Sequence, residues 1–520
     1  MDKNNNSGQI RRVLVVGGGT AGWLAAAHLA RKLASRSPDG VKVTLVESEN
    51  IPTIGVGEGT VPAIRQTLHY LGISETEFVR ECDATFKQGI KFVDWVRPPG
   101  TPGPAYYHHI FDYPDQKSAD LIPAWLLQGR ERPVFTDAVS VQGRVCDLGL
   151  GPKLVTHAEY AGVVNYAYHL DAAKFARLLA RHAVENLGVE HLLAQVQQVK
   201  LGDDGAIESL VTDRFGELRA DLFVDCTGFS SLLLGQALGV RFIDKRDVLF
   251  ADYALAAQAP YPSVDALIPS YTIASAREAG WIWDIGLSAR RGAGYVYSSD
   301  HTSHERAEQV LRDYLGPQAE GVQYRRIPMC VGYREKFWHK NCVAIGLSQG
   351  FVEPLEATGL LVYDATARML AETFPTSVQS MELVAGNFNR RAGSAWDSVI
   401  DFIKLHYCLS QRMDNPFWLE NREGLPDSLR EKLELWRYQP PTEYDFPSKA
   451  EVFNLANYLY VLYGMEFHTE VQHARARYGD ISQAERQFSR NSGLADEICS
   501  GLIPHRALIE KIKQYGLQKV

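Results

Sequence analysis

The hydrophobic and polar positions of the first fifty residues predict a strand, a glycine turn, a helix and a second strand. Arg12 to Val16 is a short β-branched run that ends at a glycine cluster, which indicates a buried parallel strand. Ala21 to Leu33 is rich in Ala and Leu and predicts a helix, and Val41 to Val46 predicts the next strand. This order of elements specifies a right-handed parallel crossover.

Later segments add two more apolar strands and then change in character. Leu222 to Val224 leads into an Asp-Cys-Thr-Gly sequence, and Cys342 to Ile345 ends at Gly346. From about Met381 onward the pattern is mostly helical and aromatic. Because cores tend to split beyond roughly 250–300 residues, we expect two packed modules in an α/β fold. One is a discontinuous Rossmann-like module of residues 1–95 and 150–380, and the other is a mainly helical module of residues 96–149 and 381–520.

The glycine turn after the first strand has the spacing of a dinucleotide site. Gly17, Gly19 and Gly22 form G-x-G-x-x-G at the start of a helix, where the turn lets a pyrophosphate approach the backbone. The next strand ends in Glu47, which is placed to receive the ribose hydroxyls of an adenosine. The alternative is a structural glycine turn with a surface acid.

Two further glycine motifs favour FAD over NAD. Gly228 closes the Asp-Cys-Thr-Gly sequence, which resembles a late-strand motif of two-dinucleotide-fold flavoproteins, and Gly346-Leu347 follows another strand. Three separated strand-end glycines suit an extended FAD better than a single NAD half-site. We find no second G-x-G-x-x-G for NAD(P)H, so we expect the flavin to be reduced elsewhere.

The composition of the chain indicates which classes of partner and which cellular compartment to expect. The chain has 54 basic and 62 acidic residues among 520, a net charge of −8, which argues against nucleic acid or anionic membrane as a partner. Seven scattered cysteines without a C-x-x-C pair indicate free thiols in a reducing compartment. The N-terminus has no apolar signal region, so we expect a cytoplasmic protein. The oligomeric state is left open, with a homodimer as one option.

Four motifs in order resemble the flavin-dependent halogenases, the tryptophan halogenase group in particular. The similarity runs from about Arg12 to Tyr463, and the motifs are Gly55–Pro62, Phe86–Phe92, Trp281–Ile285 and Phe351–Gly359. The resemblance implies a flavin C4a-hydroperoxide that oxidises chloride or bromide to hypohalous acid, which then reaches an electron-rich arene. It also implies a separate flavin reductase that supplies FADH2.

The resemblance assigns roles to individual residues. Lys87 would hold hypohalous acid or form a haloamine, and Glu356 would assist beside the substrate. The remaining assignments group by ligand: FAD at Gly17, Gly19, Thr20, Ala21, Gly22, Glu47, Gly57, Gly228, Gly346 and Leu347; halide at Thr358 and Gly359; a tunnel at Trp281 and Trp283; and the aromatic substrate at His109, Phe111 and Tyr458.

Physical chemistry is consistent with these roles but also allows plainer ones. A lysine shielded from solvent has a lowered pKa suited to proton exchange, and a carboxylate stabilises positive charge on an arene. Lys87 and Lys91 could instead lie on a solvated helix face, and Glu353 and Glu356 could be exposed acids that cap a helix N-terminus. The helical segment from Asp401 to Tyr407 is assigned to packing in preference to substrate contact.

The sequence departs from the family pattern at three places. Gly286 replaces a proline after the two tryptophans, Ala357 replaces a serine, and Leu459 replaces a tyrosine that helps hold the amino-acid end of tryptophan. Because a buried zwitterion without polar partners is costly, we expect indole or an indole derivative as substrate. Two other functions are retained as alternatives: a single-component flavin monooxygenase and a non-catalytic flavin-binding protein.

Overall fold

The structure, a computed structural model, describes residues 8–50, 57–114, 120–129, 132–446, 452–478 and 481–519. The first strands along the chain are β1 (Arg12–Val16), β2 (Lys42–Glu47), β3 (Gly57–Gly59), β4 (Thr85–Lys87), β5 (Gly89–Val93), β6 (Tyr106–Ile110), β7 (Ala167–Asp171), β8 (Glu190–Leu193), β9 (Val196–Leu201), β10 (Ile207–Thr212) and β11 (Gly216–Leu218). The later strands are β12 (Leu222–Asp225), β13 (Phe242–Asp244), β14 (Tyr253–Ala259), β15 (Thr272–Arg277), β16 (Gly280–Gly286), β17 (Arg291–Tyr297), β18 (Tyr324–Pro328), β19 (Gly332–Arg334), β20 (Trp338–His339), β21 (Cys342–Ala344) and β22 (Gly350–Phe351).

The helices lie between these strands and dominate the C-terminal part. They are α1 (Thr20–Lys32), α2 (Ala63–Leu71), α3 (Glu75–Glu81), α4 (Leu121–Leu127), α5 (Phe135–Val139), α6 (Gln142–Asp147), α7 (Ala172–His182), α8 (His304–Leu315), α9 (Thr358–Glu372), α10 (Val378–Cys408), α11 (Pro416–Glu420), α12 (Asp427–Trp436), α13 (Leu455–Gly464), α14 (Ile481–Gly501) and α15 (His505–Tyr515). After α7 the chain continues as a π-helical turn to Leu187.

A six-stranded sheet carries the predicted Rossmann-like topology. Its order is β20-β21-β12-β1-β2-β8, and β21, β12, β1, β2 and β8 run parallel. The order places β12 next to β1 and β21 next to β12, so the ends of the three parallel strands that precede glycine turns lie at one sheet edge. This arrangement confirms the predicted α/β class.

A seven-stranded sheet, β18-β14-β17-β16-β15-β5-β6, forms the second layer. Its neighbours are antiparallel except β5 and β15, which are parallel. A small sheet of β3, β7 and β4 lies beside it, and the chain passes from β4 to β5 through the single residue Gln88. The stretch that contains Lys87 and Lys91 therefore forms two strands. The alternative that both lysines lie on one solvated helix face is wrong.

One buried hydrophobic cluster runs through both layers and the helices. It includes Val15 of β1, Trp281 of β16, Phe402 of α10 and Leu459 of α13. In the described ranges, none of the helices is both long and apolar enough to cross a membrane.

Candidate active site

Three glycine turns meet at the edge of the parallel sheet. Gly17 has φ +111°, and a Cβ there would lie 2.2 Å from the carbonyl oxygen of Cys226. Gly346 has φ +83°, and its Cβ would lie 2.7 Å from that of Ala21. Segments from β1, α1, β12 and β21 thus converge with no room for side chains, and this leaves backbone exposed to a ligand.

The first turn of α1 is built for a phosphate. A Cβ on Gly22 would lie 1.9 Å from the Gly17 carbonyl oxygen, so only glycine lets the helix start this close to the strand. The residue before the helix, Gly19, provides no capping side chain, and Thr20 and Ala21 present free first-turn N–H groups. Free N–H groups and the positive end of the helix dipole fit a pyrophosphate.

Glu47 and the remaining glycines complete the cradle. The Glu47 carboxylate lies over the turn, since a Cβ on Gly18 would be 1.7 Å from its Oε2. It accepts a hydrogen bond of 2.8 Å from His191, and although burial raises its pKa, His191 opposes that rise. Gly228, with φ +72°, has open space around it, and Gly57 packs near Gly292. These residues fit the adenosine and pyrophosphate of FAD.

Lys87 is a buried lysine on β4. Its side chain is 1% exposed, and Nζ lies 5.4 Å from the centre of the Phe111 ring. A Cβ on Gly59 would lie 3.3 Å from this Nζ, so the glycine of β3 makes room for the ammonium. Burial lowers the pKa of Lys87 to about 8, and Glu356 partly opposes that decrease. By contrast, Lys91 pairs with Asp147 at 2.8 Å near the surface.

Glu356 is a buried carboxylate held by two histidines. Its Oε1 lies 2.8 Å from Nδ1 of His109 and 3.0 Å from Nε2 of His406. Burial raises the pKa of Glu356, but the two imidazoles outweigh it and lower the value to about 2. Glu356 and Ala357 have φ of +69° and +57°, so two successive left-handed residues turn the chain just before α9.

His109 and Phe111 point to the same side of the edge strand β6. The His109 ring lies 5.9 Å from Phe402 and 6.0 Å from Tyr460, and its Nε2 is 3.0 Å from the amide nitrogen of Asn457. Phe111 follows the end of β6 and lies next to the Lys87 ammonium. The sequence-predicted aromatic pair is therefore next to both predicted catalytic groups.

Tyr458 and Glu466 are engaged with other neighbours. The Tyr458 ring packs against Phe402, Trp436 and Phe446. The Glu466 carboxylate is paired with Arg97 near the surface.

The two tryptophans, Trp281 and Trp283, lie on β16, next to the segment from Glu353 to Glu356. Trp281 Nε1 donates a hydrogen bond of 2.7 Å to Oε2 of Glu353, and Tyr407 donates another of 2.7 Å to the same oxygen. Burial raises the pKa of Glu353 to about 7. Trp283 lies 6.4 Å from Trp281, ring centre to ring centre. Gly286 pairs regularly with Arg291, so the missing proline does not loosen the strand.

The predicted halide turn is the start of α9. Thr358 Oγ1 is buried and has no hydrogen-bond partner among the described residues. No side chain caps the helix at Ala357, so N–H groups of the first turn, including that of Gly359, remain available. An uncapped helix start with an unpartnered hydroxyl suits a small anion.

Two polar residues of the site, His406 and Asn457, were not predicted from the sequence. His406 lies in the helical segment assigned to packing, yet it contacts Glu356. Asn457 precedes Tyr458, which is the residue predicted to contact the substrate. It is Asn457, however, that contacts His109. Their polar side chains within apolar helices were the available signal, but the partners are 50 and 348 residues away.

Comparison with known proteins gives a consistent picture. The family model for tryptophan halogenase matches residues 12–479. The chain is 40% identical to tryptophan 6-halogenase SttH of Streptomyces toxytricini, over 84% of this chain and 86% of that protein. A tryptophan halogenase structure from Shewanella frigidimarina superposes with a TM-score of 0.94 at 42% identity, over 98% and 99% of the two chains. BrvH, a flavin-dependent halogenase from Brevundimonas sp. BAL3, gives 0.86 at 33%, over 96% and 99%.

Proposed function

The chain belongs to the tryptophan halogenase family, and from that premise we propose that it halogenates an indole-type arene, with Lys87 and Glu356 as catalytic residues. It is a flavin-dependent halogenase that uses FAD, a halide and oxygen. Halogenases of this type act on a small aromatic substrate and receive reduced flavin from a separate reductase. The monooxygenase and the non-catalytic alternatives are not favoured by these relationships.

The observation that carries the catalytic assignment is the buried Lys87 ammonium beside Phe111, within electrostatic range of Glu356. Reduced FAD, when bound, supplies hypohalous acid from oxygen and halide. With a pKa lowered to about 8, Lys87 can hold this acid by hydrogen bonding and donate a proton to its oxygen near neutral pH. Water is excluded around the ammonium, so the donated hydrogen bond is stronger than in solution.

Glu356 serves the aromatic ring in this proposal. A pKa near 2 keeps the carboxylate ionised over the working pH range, so it stabilises positive charge as halogen adds to the ring. It then accepts the ring proton. His109 and Phe111 are proposed to bind the planar ring by stacking, and Thr358 and Gly359 to bind the halide.

An arene without an amino-acid group fits the surroundings best. Near His109 the described residues present mainly aromatic side chains, namely Phe402, Tyr460 and, stacked on Phe402, Phe453. The Glu466 carboxylate is paired with Arg97 and is therefore not free to bind the amine of an amino acid. A zwitterion would lose its hydration here without gaining equivalent partners.

Competition among indole, tryptamine and L-tryptophan tests this proposal. With a generic flavin reductase and either chloride or bromide, we expect kcat/KM to fall at least about tenfold for each added charged group, since an unpaired buried charge costs more than 1 kcal/mol. Product analysis by mass spectrometry separates halogenation from hydroxylation. A higher kcat/KM for L-tryptophan than for indole would refute the substrate assignment but leave the halogenase assignment intact.

The setting of the enzyme is also a proposal. The net charge of −8 supports a protein that binds neither nucleic acid nor membrane, and seven free cysteines support a reducing compartment such as the cytoplasm. The homodimer stays a prediction, which light scattering of the purified protein checks.

A further inference from the structure

One oxygen of Glu356 receives both imidazoles, while its other oxygen stays available. His109 Nδ1 and His406 Nε2 lie 2.8 and 3.0 Å from Oε1, and among the described residues Oε2 has no hydrogen-bond partner. The side chains of His109, Glu356 and His406 are all at most 3% exposed. In such a dry cluster each proton must have a definite location, and the hydrogen-bond partners determine it.

The partners of His406 require a proton between this histidine and Glu356. Its Nδ1 lies 2.8 Å from the backbone carbonyl oxygen of Phe402, one turn earlier in α10. A carbonyl oxygen can only accept, so Nδ1 carries a hydrogen. The contact between Nε2 and Oε1 then needs a second hydrogen, either on an imidazolium or on a neutral carboxyl group. His406 and Glu356 therefore share one proton.

His109 differs because its second nitrogen has a donor for a partner. The side-chain amide nitrogen of Asn457 lies 3.0 Å from Nε2 of His109, and in this amide orientation it donates. Nδ1 of His109 then carries the single hydrogen and donates it to Glu356. A neutral His109 meets all its contacts, whereas His406 meets its contacts as a neutral ring only if Glu356 is protonated.

The surroundings decide where the shared proton resides. The groups that face Glu356 and His406 are the Lys87 ammonium from β4, His109 and the neutral phenol of Tyr107 from β6, and the rings of Phe92 and Trp95. Glu356 is the only acid among the described groups in this set. Lys87 and the Nδ1–H of His109 both favour its ionised form, which places the shared proton on His406.

We propose that His406 is a positioning residue that keeps Glu356 ionised and fixes Oε1, so that Oε2 is the oxygen that takes the ring proton. In this step the C–H bond at the halogenated carbon breaks and its electron pair returns to the ring. The proton goes to Oε2 and the His406 proton stays on Nε2. The inference rests on the proposed function for the step itself, but not for the charge of His406.

Nitrogen-15 NMR of histidine-labelled, flavin-free protein reads this charge without turnover. We expect the two His406 nitrogens, assigned with His406→Phe, to show imidazolium shifts in neutral buffer. A neutral His406 with an unprotonated Nε2 would overturn the inference. An imidazolium without any arene halogenation would instead count against the proposed function.

Kinetics of two variants add an independent measurement. In His406→Phe the carboxyl group is buried with less compensation, so kcat/KM should gain an acid limb that lies at least about one pH unit above that of the wild type. His406→Gln keeps a neutral N–H donor toward Oε1 and should retain more activity. His28→Phe is the matched control, because His28 is an equally buried histidine that bonds a different acid, Asp364, at 2.8 Å. The inference fails if the pH profiles of His406→Phe and His28→Phe coincide.

Discussion

Replacement of Lys87 by methionine should make the protein more stable while it removes halogenation. Methionine is one heavy atom shorter than lysine but keeps an unbranched apolar stem, so it fills most of the space beside Gly59 and Phe111 without placing a charge there. The wild-type ammonium is 1% exposed, and its burial is only partly offset by Glu356. A catalytic group held in an unfavourable environment typically costs stability.

The size of the effect follows from the pKa of Lys87. The drop from 10.5 to about 8 in the folded state corresponds to roughly 3 kcal/mol at neutral pH, at about 1.4 kcal/mol per pKa unit. At about 2.1 cal/mol/K of unfolding entropy per residue, a chain of 520 residues should gain about 3 °C in Tm. The folded wild type binds fewer protons than the unfolded chain between pH 8 and 10.5, so its stability rises with pH in that window and the advantage of the variant shrinks.

Chemical denaturation and calorimetry at pH 7 and pH 10 measure both parts of the prediction. Lys91→Met is the matched control, since that lysine lies four residues further along the chain, on β5, but pairs with Asp147 near the surface. It should lose up to about 1 kcal/mol and show no comparable gain. If Lys87→Met were less stable than the wild type at pH 7, or if its advantage grew with pH, the reasoning about a buried ammonium would be wrong.

Two more substitutions test the site from other directions. Glu356→Gln should lower kcat at least about a hundredfold by removing the base. Glu353→Gln should keep most of the activity, because the neutral form of Glu353 is already well populated at pH 7. Equal losses of kcat in steady-state assays would contradict this distinction. Gly17→Ala should abolish FAD retention in equilibrium dialysis, because its Cβ would meet the Cys226 carbonyl, while Gly493→Ala has open space and should bind FAD normally. Retention by Gly17→Ala would refute the cradle.

The α/β fold could be predicted from the sequence because its signals are local. The β-branched run of Arg12 to Val16, the following glycines and the Ala-rich helix are contiguous, and a Cβ on Gly17, Gly18 or Gly22 would lie within 2.2 Å of another atom. The seven-stranded, mostly antiparallel sheet was harder to predict from the sequence. Lys87 and Lys91 have a spacing that also suits a helix, and only the pairing of β4 with β7 and of β5 with β6 and β15 separates a buried lysine from a surface one.

In the candidate site, only residues that lie in motifs resembling the halogenase family could be predicted from the sequence. Lys87 and Glu356 follow from motifs, but the hydrogen bonds of Glu356 depend on residues far apart in sequence. Tyr458 and Asn457 are adjacent on α13 and face different neighbours, and the sequence does not reveal which of them is directed toward His109.

The buried cluster that includes Val15, Trp281, Phe402 and Leu459 has a consequence for protein engineering. Since the interior is continuous from the parallel sheet to α13, the helices around His109 cannot be removed as a separate unit. Grafting them from a relative with another substrate would expose or overfill the strands beneath. A new substrate range is therefore better sought by changing single side chains around His109 than by exchanging whole segments.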